Sequence, residues 1–576
     1  MPDDTKGRRA TRRYHSEPDP RHVVFPEAIH DAVNAALRSA AAAGAIPALG
    51  DVDFVVERPR DRGHGDWAAN VALVAAKAAR MAPRDLASAV VEHLPAVPHL
   101  AAAEVAGPGF VNFTLRPSWY LEVLREAALG GSGFARGAPT GARIQVEFVS
   151  SNPNGPLHIG HMRGGVVGDV LAGLLEYAGN EVEREYYYND AGVQMDRYAA
   201  SLEATYLQAL GRDAAVPEDG YHGAYVAEWG RELAAERGEV LADLPVAERR
   251  AAVRAWGLQR AMRDIEETLD LAGISFDGWF SEGSLHADGR VDAAITRLSE
   301  RGHVYRSEGA MWFRTTDFGD EKDRVLVKSD GEYTYISPDI AYHLDKFTRG
   351  FDRVIDIWGA DHHGYVPRIK ASVAALGYDP DALEIVITQL VSVVRAGEPL
   401  RMSMRAGDFI TFREVLDEVG ADPIRWYLAA VSPDTAITFD LEEAKRQSMD
   451  NPVYYLQYAH ARMRSLEDFA AGQGVARAPI DEVDLAALVH PAEIGVLKQV
   501  DRLREEMGEA AARRATHRIA TYGYDLATAF HRFYTDCRIV TDDAGLTQAR
   551  LWLVEAAKSA LLAVLGVLGI TAPERM

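Results

Sequence analysis

The stretch S-N-P-N-G-P-L-H-I-G-H, Ser151 to His161, places two imidazoles three residues apart. An apolar helical pattern follows as far as Tyr177, so His158 and His161 would face one point at a helix start. Unpaired backbone N–H groups and the helix dipole favour a phosphate there, and the imidazoles could donate to its oxygens as charge accumulates. Gly160 leaves room for an adenine ring against the backbone, which a Cβ would obstruct. Taken alone, H-x-x-H is more often a pair satisfied in a core, and as a zinc pair it is short of ligands without cysteines. Just upstream, Glu147 and Asn152 flank the end of an alternating strand through Ile144, Val146 and Phe148. A carboxylate and an amide would thus face the crevice that open α/β sheets use for ligands, where an acid suits a cationic substrate. An exposed strand-end charge is the plainer reading of Glu147.

Three further stretches carry usable groups. In Y-T-Y-I-S-P-D, Tyr335 and Asp339 are four residues apart and meet if the chain turns helical, although core tyrosine and helix cap are the simpler roles. G-A-D-H-H-G, from Gly359 to Gly364, follows the strand-like V-I-D-I-W. Asp361 could there bind ribose hydroxyls, and His362 or His363 a phosphate or adenine. R-M-S-M-R-A-G, Arg401 to Gly407, sets two cations and Ser403 after an apolar run and the turn A-G-E-P. By itself it is a short basic surface connection.

The elements that would position these groups form an ordered series. Residues 1–22 make a basic tail, K-G-R-R-A-T-R-R included, expected to be a solvated disordered arm. Residues 23–118 alternate helical patterns (Pro26–Ala43, Trp67–Arg80, Pro83–Glu92) with strands at Val52–Glu57 and Gly107–Leu115, an α+β module. G-G-S-G, Gly130 to Gly133, is the clearest linker. Residues 135–410 contain two strand–turn–helix units of a Rossmann-type α/β core, interrupted by a charged helical insertion at about 193–298. Residues 411–448 connect to a C-terminal helical bundle over 449–576.

A chain of 576 residues exceeds one hydrophobic core and suggests about three to four domains. The net charge of -23 argues against indiscriminate binding to a polyanion while permitting a local RNA site. Cys537 is the only cysteine, which excludes an internal disulfide and a cysteine metal cage and points to a reducing compartment. The N-terminus lacks the apolar core of a secretory signal, and a cytoplasmic location without membrane attachment is expected.

In combination these motifs resemble a class I aminoacyl-tRNA synthetase, and the arginyl-tRNA synthetase family in particular. The resemblance is carried by V-E-F-V-S-S-N-P-N-G-P-L-H-I-G-H, W-G-A-D-H-H-G-Y-V-P-R, R-M-S-M-R-A-G-D-F-I-T, D-N-P-V-Y-Y-L-Q-Y-A-H-A-R and the terminal I-T-A-P-E-R-M. It implies a catalytic core that joins L-arginine to ATP, with Mg²⁺ and no structural zinc, then transfers arginine to tRNA(Arg); a monomer is expected. The N-terminal module, with Asn70 in G-H-G-D-W-A-A-N-V-A-L, would grip the tRNA elbow. The all-α C-terminal bundle would read the anticodon through Tyr454, Tyr458 and Arg462, with Arg464, Arg513, Arg514 and Arg518 nearby. Glu147 and Asn152 would hold the amino-acid end or guanidinium, and Tyr335 and Asp339 the arginine side chain. Catalysis would fall to His158, His161, Ser403 and Arg405, with Gly160, Gly359, Asp361, His362, His363 and Arg401 around ATP. The chain departs from the family at Met404, where the second class I signature usually carries a lysine that stabilises the leaving pyrophosphate. That departure raises an alternative, a weakened or repurposed paralogue that still binds tRNA.

Overall fold

The computed structural model describes residues 25–59, 61–400 and 410–576. The basic tail and the loop residues Arg401, Ser403, Met404 and Arg405 lie outside the described residues. The chain divides into two compact units between Val123 and Leu124.

Among its described residues, the first unit packs an antiparallel sheet with the helices Phe25–Ala42, Val71–Ala79 and Pro83–Glu92. Its strands run in the order Val56–Glu57, Trp67–Ala69, Phe110–Leu115, Leu100–Ala106. The segment expected as one helix from Trp67 to Arg80 therefore opens as a strand and turns helical only over Val71–Ala79. Trp67 and Ala69 pair with Phe113 and Val111, so sheet pairing overrides the Ala-rich helical pattern. Buried Asp66 pins this sheet, accepting from the Leu115 N–H at 2.8 Å and the Tyr120 hydroxyl at 2.7 Å.

The second unit is built on a five-stranded parallel sheet in the order Leu383–Thr388, Arg353–Gly359, Arg143–Glu147, Glu181–Tyr188, Gly278–Ser281. The helix Ile159–Tyr177 crosses between the third and fourth of these strands. Gly168 lets it lie directly on the strand end, since a Cβ there would stand 2.3 Å from the Phe148 ring. The edge strand Gly278–Ser281 falls inside the segment expected to be a helical insertion. The helices of that insertion span Gly192–Ala209, Ala224–Arg237 and Val246–Leu271, around a core of Met195, Tyr198, Leu202, Trp229, Leu233 and Val253. A three-stranded antiparallel sheet over Val304–Ser307, Ala310–Phe313 and Arg324–Val327 was not expected from the sequence.

Gly130–Gly133 is no loose linker. It ends the helix Pro117–Gly130 and turns as a short 3₁₀ segment into buried Phe134 and Ala135, with the Tyr177 hydroxyl donating to the Phe134 carbonyl. From Pro452 onward four helices form a bundle: Pro452–Gly472, Pro491–Arg513, His517–Asp536 and Ala544–Leu568. The last is long and apolar enough to cross a membrane, yet most of it is buried as the central helix of the bundle.

Arg425 joins three parts of this unit. Fully buried, it donates to the carbonyls of Ala272, Gly273 and Leu568 and pairs with Asp169 on the helix that begins at the histidine pair.

Candidate active site

The first signature is built on strained backbone. Val149 and Ser150 have φ of 67° and 44°, and the Ser150 N–H reaches back to the Phe148 carbonyl at 2.9 Å. A β-branched residue in this region is costly and persists only where its surroundings enforce it. The enforcement is visible: the Tyr186 hydroxyl bonds both the N–H and the carbonyl of Ser151, at 3.0 and 2.9 Å. The Asn152 carboxamide donates to Gln194 at 2.8 Å and accepts from the Asn189 N–H at 3.3 Å. Asn154 is held by Tyr221 and Tyr225 of the insertion, at 2.9 and 2.8 Å.

His158 caps the helix Ile159–Tyr177. Its Nδ1 accepts from the Gly160 N–H at 3.0 Å, which leaves the proton of the neutral ring on Nε2. A Cβ at Gly160 would stand 2.7 Å from that imidazole, so the glycine is required by the cap as well as by any base lying against it. The His158 and His161 rings lie 3.9 Å apart, as the three-residue spacing suggests. Burial lowers the His158 pKa; it takes His161 down to about 3, with the adjacent imidazole adding to the effect. Both are therefore neutral donors at physiological pH. His161 Nδ1 is buried and finds no partner among the described residues.

The described residues that follow the second signature meet the first through backbone. Leu400 closes a hairpin on Val393 at 3.1 Å, and the chain resumes at Ile410, whose carbonyl accepts from the Ile159 N–H at 3.3 Å. Phe412 N–H then bonds the Leu157 carbonyl at 2.7 Å. The Thr411 capping box starts the next helix, Phe412–Val419. Both ends of the segment carrying Met404 are thus fixed, one of them beside the histidines.

Gly359, Asp361, His362 and His363 lie at the carboxyl end of the neighbouring strand Arg353–Gly359, with Asp361 and His362 exposed. Tyr335 and Asp339 do fall at a helix start, Ile336–Thr348, but part company: Tyr335 is 89% exposed, whereas Asp339 is half-buried and accepts from the Tyr365 hydroxyl at 2.5 Å. Glu147 is 7% exposed and paired with Lys346. Sequence reasoning passed over Lys346, and also Glu282, which accepts from the Tyr187 hydroxyl at 2.5 Å. Burial raises the carboxyls of Asp339 and Glu282, and the charge of each acid weighs on Tyr187. Among the described residues neither forms an ion pair with a lysine or arginine. His286 Nε2 lies 3.9 Å from Glu282, and Tyr187 stacks on Tyr342 at 4.4 Å; two acids with phenol partners and no lysine or arginine in contact suit a planar cation. The available signal for Glu282 was the capping pattern S-E-G-S at Ser281, which marks a helix start and nothing more.

In the bundle, Tyr454 and Tyr458 stack at 6.1 Å, and Arg462 lies over Tyr458 and Tyr534 at 4.4 and 4.2 Å. Tyr458, Arg462, Phe469, Tyr534, Arg538 and Met576 line a cleft of about 790 Å³. The other arginines near this helix are engaged: Arg464 with Glu467, Arg514 with Glu384, Arg518 with Glu506 and Glu509. Asn70, in the first unit, precedes the helix Val71–Ala79 and accepts from the Val55 N–H at 2.9 Å. Among the described residues no group of three or more His, Cys, Asp or Glu is arranged to hold a metal.

The fold and this site can now be set beside known proteins. Residues 133–425 match the family described as tRNA synthetases class I (R), catalytic domain. Residues 27–115 match the arginyl tRNA synthetase N terminal domain, and 456–576 the DALR anticodon binding domain. The parallel core with its paired histidines is that of a class I aminoacyl-tRNA synthetase, an ATP-using enzyme. The chain is 47% identical over 552 residues to the arginine–tRNA ligase of Moorella thermoacetica, covering 95% of this chain and 98% of that one. It is 47% identical over 527 residues to that of Desulfitobacterium hafniense, covering 91% and 94%. It belongs to the arginyl-tRNA synthetase family, and is an arginine–tRNA ligase. The Thermus thermophilus arginyl-tRNA synthetase shares the fold, with a TM-score of 0.73 at 24% identity over 96% of this chain and all of that one.

Proposed function

We propose that the cleft at the carboxyl ends of the parallel strands seats arginine with its guanidinium between Asp339 and Glu282. The observation that carries this is the pair of half-buried acids that, among the described residues, no lysine or arginine contacts. The amino-acid end then lies toward Glu147 and Asn152, and Tyr335 closes over the side chain from its exposed helix start. ATP lies along Gly160 and Gly359, with Asp361, His362 and His363 around ribose and base, and His158 and His161 on the phosphates. Mg²⁺, arriving with the nucleotide, would neutralise part of the phosphate charge. Arginine's carboxylate oxygen attacks the α-phosphorus, the bond to the pyrophosphate oxygen breaks, and arginyl-adenylate forms. A terminal ribose hydroxyl of tRNA then attacks the acyl carbon and AMP leaves. The chain's contribution is position and hydrogen bonding to developing phosphate charge.

Asn70 in the N-terminal module and Tyr454, Tyr458 and Arg462 in the bundle are assigned to tRNA, as a monomeric enzyme of the cytoplasm. Stacking of an unpaired base on an aromatic is worth about 1–3 kcal/mol. Tyr458→Ala is accordingly expected to raise the KM for tRNA about 5- to 100-fold while the KM for arginine stays constant. Equal tRNA affinity in filter binding would remove the bundle cleft from this reading.

Arg401, Ser403 and Arg405 are assigned to the leaving pyrophosphate, with Met404 where a lysine is usual. ATP–pyrophosphate exchange with arginine, with and without tRNA, tests the whole scheme. We expect exchange in the presence of tRNA, and a gain of about 10-fold or more for Met404→Lys if the loop lacks a needed cation. Background exchange in every condition would overturn this assignment of the site.

A further inference from the structure

Three carboxylates stand in one row across the parallel sheet. Asp356 is the register partner of Glu147, and Glu147 that of Glu185, on adjacent strands. Neighbouring strands lie about 4.8 Å apart, so the row is repulsive unless cations face it. The helix Ile336–Thr348 supplies Lys346 and, just past its end, Arg349, with His343 at the same three-residue spacing before them. Arg349 forks onto Glu185 at 2.6 and 2.9 Å, where the Tyr342 hydroxyl and the Gln145 amide also donate. His343 places Nε2 3.0 Å from Asp356 Oδ2 and Nδ1 2.8 Å from the Asp339 carbonyl oxygen, so both ring nitrogens face acceptors. Lys346, with no exposure, donates to Asp356 Oδ1 at 2.8 Å and to Glu147 Oε2 at 2.5 Å, and lies over the Tyr342 ring.

Glu147 thus has one oxygen fixed on an internal cation, and no donor among the described residues meets Oε1. We propose that Lys346 is a positioning residue for arginine. It orients Glu147 through Oε2 and so leaves Oε1 for the substrate's α-ammonium. This rests on the assignment of Glu147 to the amino-acid end. It also accounts for how a substrate with two cationic ends enters one way round. Asp339 and Glu282 accept from phenol hydroxyls and touch no lysine or arginine among the described residues, so a guanidinium can pair with them directly; Glu147 already has a lysine in contact.

The test compares arginine with δ-guanidinovaleric acid, which lacks the α-amino group, as a competitive inhibitor of tRNA-supported exchange by the full chain. Glu147→Gln is expected to raise the KM for arginine about tenfold or more. Lys346→Met should raise it by a similar factor, with the KM for ATP and the inhibition constant of the desamino analogue within about twofold. Arginine and analogue weakened together would show a merely structural lysine and overturn the proposal. An unchanged KM for Glu147→Gln would overturn the Glu147 assignment and the proposal with it. Should Lys346→Met fail to fold, Glu147→Gln/Lys346→Met removes one charge of each sign. Its KM for arginine should equal that of Glu147→Gln alone, and a further tenfold rise would overturn the coupling.

Discussion

Asp339→Asn is expected to raise the KM for arginine by about 30- to 1,000-fold, the equivalent of about 2–4 kcal/mol for removing one partner of a desolvated charge pair. Asp339 is half-buried, holds only the Tyr365 hydroxyl, and shares the cleft with Glu282. The isosteric amide keeps the shape and the acceptor for Tyr365 but removes the charge that a guanidinium requires. ATP should be unaffected, because Asp339 and its partner Tyr365 are not among the groups assigned to adenine, ribose or phosphate. Steady-state exchange at saturating ATP and tRNA measures this directly. Glu282→Gln should act in the same direction, and the double variant should fall short of the product of the two, since both acids serve one cation. An unchanged KM for arginine in both single variants would refute the placement of the guanidinium.

The second large effect belongs to the histidines. His158→Asn and His161→Asn are each expected to lower kcat about 100- to 1,000-fold, with smaller changes in KM, because a donor to developing phosphate charge acts in the transition state. The effects should not multiply in the double variant, since the rings are 3.9 Å apart and act on one group. Burial keeps His161 neutral down to about 3, so kcat should show no ionisation of this ring across the neutral pH range. A full-rate His161→Asn enzyme in single-turnover adenylate formation would assign the phosphate contacts elsewhere.

Much of this was legible along the chain because it is local. The H-x-x-H spacing and the glycine between its histidines specify a helix start whose imidazoles lie side by side and whose cap needs Gly160, all within four residues. Strand, turn and helix follow one another without a long-range decision, and apolar period alone marks the terminal bundle. The same local reasoning failed where pairing partners decide. Trp67–Ala69 is a strand because Phe110–Leu115 lies beside it, and Gly278–Ser281 joins the sheet because Glu185–Tyr188 is there to receive it.

The sequence by itself set the histidine pair at a helix start and, through its motifs, determined the family to which the chain belongs. Only the tertiary structure decided how the acids are used. Glu147 and Lys346 are 199 residues apart, and nothing in either local pattern announces their contact. Parallel strand register brings Asp356, Glu147 and Glu185 into one row, and one helix face neutralises it. Asp339 and Glu282 meet phenols and no lysine or arginine among the described residues for a reason that is equally non-local: a carboxylate's role is set by which charges the fold places around it, and that is fixed by packing between elements rather than by spacing within one.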